Sequence, residues 1–259
     1  MGLSGQRIVA AITLAHMNSA LSTLYFNIVA PLARRLHFIR ADSLYHLAGY
    51  YLKGRPVRGI VDGGAFDGKH SLYLARLFPR ATIFAFEPAP ESYRLLAETA
   101  KRSRRIVPLQ LALTESVGTA MLNINTFAPT NSLLASTGSE DARTYFDGRG
   151  DTVSSAAVQT ISLDEFARRE KNFGCTLLKL DLQGYELPAL RGARDVLLQQ
   201  VEAVISEVRF KPLYHGDAHF EAVDSYLAGC GFSLMCLQEV TPHPTDNTVF
   251  EANALWIKR

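Results

Sequence analysis

From Val57 onward, short apolar runs alternate with amphipathic stretches, and that alternation restricts the chain to a layered α/β fold. Runs at 57–61, 82–86, 106–113, 158–161, 176–180 and 201–208 read as strands. Helices are expected at 69–78, 90–102, from 162 onward, up to 199, and at 217–228. Pro90 and Glu91 suit a first helical turn, and Ser162 followed by Glu165 reads as a capped helix start. Two last runs, 232–237 and 249–257, have only a loop between them. They must be antiparallel, because a parallel crossover needs about a dozen residues or more. The pattern predicts a doubly wound, Rossmann-like sheet with one reversed edge strand. A hairpin is expected around Gly118, and the polar stretch 123–151 reads as a long functional loop.

Residues 1–55 read as a helical extension, broken near Pro31 and near Gly54-Arg55-Pro56, and 56–259 as the α/β domain. No Asp, Glu, Lys or Arg occurs from Ile8 to Ala33, and Arg34-Arg35 follow. The stretch is long enough to span a bilayer. His16, Asn18, Ser19, Ser22, Thr23, Asn27 and Pro31 are costly in hydrocarbon, however. A cap or dimer-interface helix, a membrane-surface helix and a true span all stay open. Only Arg7 lies just before the stretch and no small-residue cleavage site is evident, which disfavours a secretory signal. The expectation is a cytoplasmic protein, with membrane-surface contact or homodimerisation through residues 1–40 open.

A net charge of +2 gives no bulk attraction for nucleic acid. The basic cluster from Lys101 to Arg105 reads as a solvated helix end. Cys175, Cys230 and Cys236 are odd in number, match no zinc spacing and have apolar flanks, so free thiols are expected. No grouping has metal-ligand spacing, and no metal is expected.

The chemistry concentrates at strand ends, where doubly wound sheets bind ligands. The first strand runs into Asp62-Gly63-Gly64-Ala65-Phe66-Asp67-Gly68. Gly63 and Gly64 let the backbone turn sharply beside a ligand, and Gly68 lets helix and strand pack. Such a turn by itself also suits dinucleotides. Asp62 and Asp67 would repel a pyrophosphate but tolerate the sulfonium and ammonium of S-adenosylmethionine, although Asp67 equally suits a helix cap. Glu87, followed by Pro88, closes the second strand and can accept from both ribose hydroxyls. Ala112 and Leu113 suit an adenine face. The second constellation runs from Lys179 to Glu186, with Lys179 and Asp181 on one side of a strand and Asp181 at its end. Glu207 ends the next strand, and His215 follows as a candidate neutral-pH base. His70 reads as structural.

Together these blocks resemble the FkbM family of methyltransferases. The resemblance rests on Val61 to Gly68, Phe86-Glu87-Pro88-Ala89-Pro90, Leu163-Asp164, the string Lys179-Leu180-Asp181-Leu182-Gln183-Gly184-Tyr185-Glu186, and Glu207-Val208. It covers about 200 residues from Val57 and leaves the first 55 uncovered. It implies a class I methyltransferase sheet of seven strands, order 3-2-1-4-5-7-6 with the last strand antiparallel, and S-adenosyl-L-methionine as cofactor. It also implies O-methylation of a small molecule, such as a sugar, glycan or natural-product hydroxyl. Asp62 through Ala65 and Glu87 carry over as cofactor contacts, and Asp181, Glu186 and Lys179 as active-site residues. Glu207 and Tyr214 match family positions too. The chain departs from the family at Phe66, where Asn is frequent, and at His70, where Thr or a similar residue is.

The expected set is therefore a cofactor site of Asp62, Gly63, Gly64, Ala65, Phe66, Gly68, Glu87, Pro88, Ala112, Leu113 and Asp181. Asp181, Lys179, Glu186, Glu207 and His215 are the catalytic candidates, Asp181 being favoured as the base. Alternatives are a protein or nucleic-acid methyltransferase, disfavoured because no Asn/Asp-Pro-Pro-Tyr type string follows the fourth strand; a nicotinamide-dependent oxidoreductase; and a non-catalytic cofactor-binding module.

Overall fold

A computed structural model describes residues 43–243 and 246–259. The charge-free stretch 8–33, and with it the expected cap, interface or membrane role of residues 1–40, lies outside the described residues. Among the described residues, no helix is long and apolar enough to cross a membrane. The described residues belong to one compact unit, Ser43–Arg259.

Among the described residues, ten strands form two sheets. In chain order they are β1 (Gly59–Gly63), β2 (Thr82–Phe86), β3 (Ile106–Leu109), β4 (Ala112–Leu113), β5 (Gly118–Asn125), β6 (Thr152–Ile161), β7 (Leu177–Leu180), β8 (Ala203–Arg209), β9 (Phe232–Pro242) and β10 (Val249–Lys258). The main sheet has the order β3-β2-β1-β7-β8-β10-β9. That is the 3-2-1-4-5-7-6 order of a methyltransferase sheet. Neighbours from β3 to β8 are parallel, and β10 runs antiparallel to both β8 and β9. The reversed strand is therefore internal and β9 forms the edge, a correction to the expected reversed edge strand. The short β9–β10 link turns the chain straight back, and β10 fills the gap that β9 leaves beside β8.

Among the described residues, eight helices accompany the strands: α1 (Leu44–Tyr51), α2 (Lys69–Leu77), α3 (Pro90–Ala100), α4 (Glu140–Phe146), α5 (Leu163–Arg169), α6 (Glu186–Arg191), α7 (Arg194–Gln199) and α8 (Phe220–Gly229). Both sheet faces are covered, which explains why the strands read as unbroken apolar runs. On one face Ile60, Leu177, Ile205 and Leu255 pack with Leu44 and Ala48 of α1 and Leu74 of α2. On the other, Val61, Leu178 and Trp256 pack with Leu190, Val196 and Leu227 from α6, α7 and α8. Trp256 also donates its indole N–H to Asp224 at 2.8 Å.

Several local expectations change. The third run stops at Leu109, and Ala112-Leu113 starts the second sheet, order β4-β6-β5. No hairpin forms around Gly118; that residue opens β5, which pairs antiparallel with the distant β6. The stretch 123–151 is not one loop, since it holds the end of β5, a 3-10 turn at Ala128–Thr130 and α4. The first half of β6 is exposed and polar, so it carries no apolar signal. The helix expected up to 199 breaks into α6 and α7 at Gly192-Ala193, where a side chain on Gly192 would lie 2.1 Å from the Thr114 carbonyl. Ser162 does cap α5, accepting from the Glu165 amide at 3.2 Å.

Candidate active site

A cavity of about 320 Å³ lies at the carboxyl ends of β1, β2 and β7. Its walls are the glycine turn after β1, Glu87 and Pro88 after β2, Ala112-Leu113 of β4, the segment 128–133, and Lys179 and Asp181 to Gln183. The strand order reverses between β1 and β7, and open sheets of this kind bind ligands at such a switch point.

The glycine turn is closed on itself. The amides of Gly64 and Ala65 both donate to the Phe86 carbonyl, at 3.0 and 2.9 Å, and Gly68 donates to Ala65. Phe66 donates to Glu87 Oε2 at 2.9 Å, and Lys69 to Asp67 Oδ1 at 3.1 Å. A phosphate at such a turn depends on backbone N–H groups that point at it. Here those five are already committed within the protein. Gly64 has φ +71°, and a Cβ there would lie 1.9 Å from the Asp181 carbonyl. That glycine thus brings the turn against the end of β7. Gly68 has φ +77° and packs on Leu96 and Thr99 of α3. Its contact is helix to helix, not the helix-to-strand packing expected. Phe66 holds φ +47°, a left-handed conformation that bulky residues rarely adopt.

Glu87 accepts from Phe66 with one oxygen and from Ala89 with the other, at 2.9 Å each. A carboxylate has about four acceptor positions, so roughly two remain for ribose hydroxyls. Burial pushes its pKa up to about 7, against the pull of these two backbone amides. Pro88, Ala112 and Leu113 supply apolar wall nearby. An acceptor carboxylate beside an apolar slot, with no free amide nest for phosphate, fits a nucleoside with a cationic tail.

Asp62 is fully buried and does not line the cavity. It accepts from the Ser71 hydroxyl at 2.6 Å and pairs with Lys179 Nζ at 3.0 Å. The ammonium also reaches the carbonyls of Gly63 and Gly64, at 3.4 and 3.2 Å. Burial works against the charge on Lys179, but Asp62 and Asp181 outweigh it and raise its pKa. The pair thus pins the floor of the turn to β7. Asp181, by contrast, has a side chain 35% exposed, and its Oδ2 stands 3.9 Å from Lys179.

Behind Asp181 lies a polar network centred on Arg209, itself 1% exposed. Arg209 pairs with Glu207 at 2.5 Å and Glu251 at 2.9 Å. Its Nη2 also reaches Gln183 Oε1 at 3.3 Å, and the Tyr214 hydroxyl donates to the same oxygen at 2.8 Å. Gln183 Nε2 donates to Asp181 Oδ1 at 2.9 Å. Burial pushes Glu207 well up while Arg209 pulls it down.

The sequence-predicted residues thus separate into groups. Gly64, Ala65, Phe66, Glu87, Pro88, Ala112, Leu113, Lys179 and Asp181 share the cavity, whereas Asp62, Gly63, Gly68, Glu186, Glu207 and His215 do not line it. Glu186 turns its carboxylate onto the amides of Leu182 and Gly184, at 2.6 and 3.3 Å. His215 is exposed, and its backbone amide donates to Ala135. Two features escaped the sequence reading. Gln183 and Arg209 join Tyr214, already marked as a family position, in supporting Asp181; the signal for Gln183 was its place two residues after Asp181, and Arg209 left none. His70, read as structural, lines the cavity, and its Nδ1 lies 3.0 Å from the hydroxyl of Tyr45 in α1.

Residues 62–234 match the methyltransferase FkbM domain family. The chain is 30% identical over 189 residues to methyltransferase sdnD of Sordaria araneosa, covering 65% of this chain and 71% of that protein. It is also 30% identical over 148 residues to hexuronic acid methyltransferase AglP of Haloferax volcanii, covering 57% of this chain and 54% of that one. Among solved structures, methyltransferase FkbM from Methylobacillus flagellatus shares the fold with a TM-score of 0.50 at 16% identity. That match covers 80% of this chain and 46% of the other.

Proposed function

The chain belongs to the FkbM family of S-adenosylmethionine-dependent methyltransferases, and we propose that it methylates a hydroxyl of a small molecule, a sugar or related natural product. Bound S-adenosylmethionine supplies a methyl group on positively charged sulfur, open to displacement by a nucleophile. Glu87 is the group we assign to the ribose hydroxyls, with Gly64, Ala65 and Phe66 at the turn and Pro88, Ala112 and Leu113 as the apolar wall. Asp62, Gly63 and Gly68 contribute by holding the turn in shape.

One observation carries the choice of base. Of the carboxylates lining the cavity, Asp67 is paired with Lys69 at 2.6 Å, and Glu87 serves two backbone amides. Asp181 alone among those three keeps an oxygen, Oδ2, with no partner nearer than Lys179 at 3.9 Å. Asp181 accepts the hydroxyl proton in this reading, with the Lys179 ammonium 3.9 Å from the same oxygen. A positioned base contributes about 10²- to 10⁴-fold, and holding the acceptor in line contributes about 7–11 kcal/mol. Glu186 and Glu207 act from behind the cavity wall. The sugar class draws support from the relative named as a hexuronic acid methyltransferase, of which this chain spans 54%.

The test is methyl transfer from labelled cofactor to a panel of glycans, hexuronic acids and natural-product alcohols. The expected product is an alkali-stable methyl ether. Label found only in carboxyl esters, protein or nucleic acid overturns the assignment.

A further inference from the structure

We propose that Gln183 is a positioning residue that aims Asp181, an inference that rests on the reading of Asp181 as the base. Its side-chain amide can stand only one way round. Oε1 faces two donors, the Tyr214 hydroxyl at 2.8 Å and Arg209 Nη2 at 3.3 Å. Nε2 faces two acceptors, Asp181 Oδ1 at 2.9 Å and Glu207 Oε2 at 3.3 Å. Turning the amide over would set its NH₂ against the guanidinium and its oxygen against two carboxylates. Tyr214 has one hydroxyl hydrogen and also lies 3.1 Å from the Thr130 carbonyl. Arg209, anchored by Glu207 and Glu251, keeps Oε1 supplied when that hydrogen turns to Thr130.

The consequence falls on Asp181. Gln183 holds Oδ1, which leaves Oδ2 as the oxygen free to receive a proton, and the inserted NH₂ separates Asp181 from the carboxylate of Glu207. The backbone pays a conformational cost for this placement: Gln183 sits at φ +53°, in the left-handed region that residues with a side chain rarely adopt. Ser132 offsets part of it by donating its hydroxyl to the Gln183 carbonyl at 2.7 Å. Strain of this kind collects where a side chain has to be aimed.

The test compares wild type, Gln183→Leu, Asp181→Asn and the double variant on the acceptor identified by the panel. Binding of S-adenosylhomocysteine and urea unfolding are measured alongside; Gln183→Met, closer in shape, takes the place of Gln183→Leu should the latter fail to fold. Gln183→Leu is expected to lower kcat about 10- to 50-fold, the worth of hydrogen bonds to a charged group. Acceptor KM and S-adenosylhomocysteine Kd should stay within about threefold. In the Asp181→Asn background the same substitution should change kcat less than about twofold, because residues acting as one unit are not additive. Tyr214→Phe, which leaves the Arg209 donation intact, should cost less than Gln183→Leu. A Gln183→Leu enzyme at wild-type kcat beside an impaired Asp181→Asn enzyme overturns the role of Gln183 alone. So does an equal loss in both backgrounds. Full turnover by Asp181→Asn overturns the reading of the base, and this inference with it.

Discussion

Lys179 Nζ lies 3.0 Å from Asp62 Oδ1, and the two side chains are 5% and 0% exposed. Both look like site residues in the sequence, yet they meet beneath the glycine turn and serve it from below. Breaking a buried pair from one side leaves an uncompensated charge, at a cost of about 3–5 kcal/mol. Lys179→Met should therefore lose that much stability in urea unfolding. Adding Asp62→Asn should recover part of it, so that the double variant is less destabilised than the sum of the singles. Unchanged stability of Lys179→Met would show that the pair does not hold the turn.

Glu87 sets a pH dependence on cofactor binding. Its pKa is raised by burial from 4.5 to about 7. Native-state proton uptake exceeds that of the unfolded chain between these values. Its contribution to stability is therefore fully present below about 4.5, and is lost as pH rises to about 7. Ribose hydroxyls donate to the ionised form, so binding must expel the proton wherever Glu87 holds one. Affinity for S-adenosylhomocysteine should fall below pH 7, by up to about tenfold per pH unit, and be flat above it. Calorimetry in buffers of different ionisation enthalpy should show proton release on binding at pH 6 and little at pH 8. Affinity independent of pH across this range contradicts the role of Glu87.

Phe66 carries left-handed backbone at φ +47°, where Asn is several-fold enriched among non-glycine residues. Phe66→Asn should relieve about 0.5–1 kcal/mol and raise Tm by one to a few degrees. Thermal unfolding without cofactor reads this directly, and a lower Tm would show that ring packing outweighs the backbone.

Glu186 caps the Leu182 and Gly184 amides. Removing its carboxylate leaves two amides without their acceptor, so Glu186→Ala should lose about 1–3 kcal/mol of stability, and Glu186→Gln less. Urea unfolding separates the two. A direct catalytic role would instead abolish turnover in Glu186→Gln at unchanged stability.

Much of this was readable in advance, for physical reasons. Parallel strands covered on both faces must be apolar throughout, so β1, β2, β7 and β8 stood out as runs. The short link before Val249 dictated an antiparallel pair. Other features left no local trace. The first half of β6 lacks apolar alternation because neither of its faces is buried, and its partner β5 lies far away in sequence. At the site, strand-end acids were visible as residue types, but which of them faces the cavity depends on partners. Asp62 turned to Lys179 and Ser71, Glu207 to Arg209, and Glu186 to its own loop. Arg209 reads in the sequence as one more strand-end cation. Only the fold reveals that it is buried between two carboxylates and holds Gln183.

The central claim is that Asp181 takes the acceptor's proton. Asp181→Asn keeps the oxygen that Gln183 binds and the shape of the side chain while removing the basic carboxylate, so it tests that role. Turnover on the identified acceptor should fall at least about 100-fold, while S-adenosylhomocysteine Kd stays within about threefold of wild type. Wild-type turnover by this variant would contradict the claim.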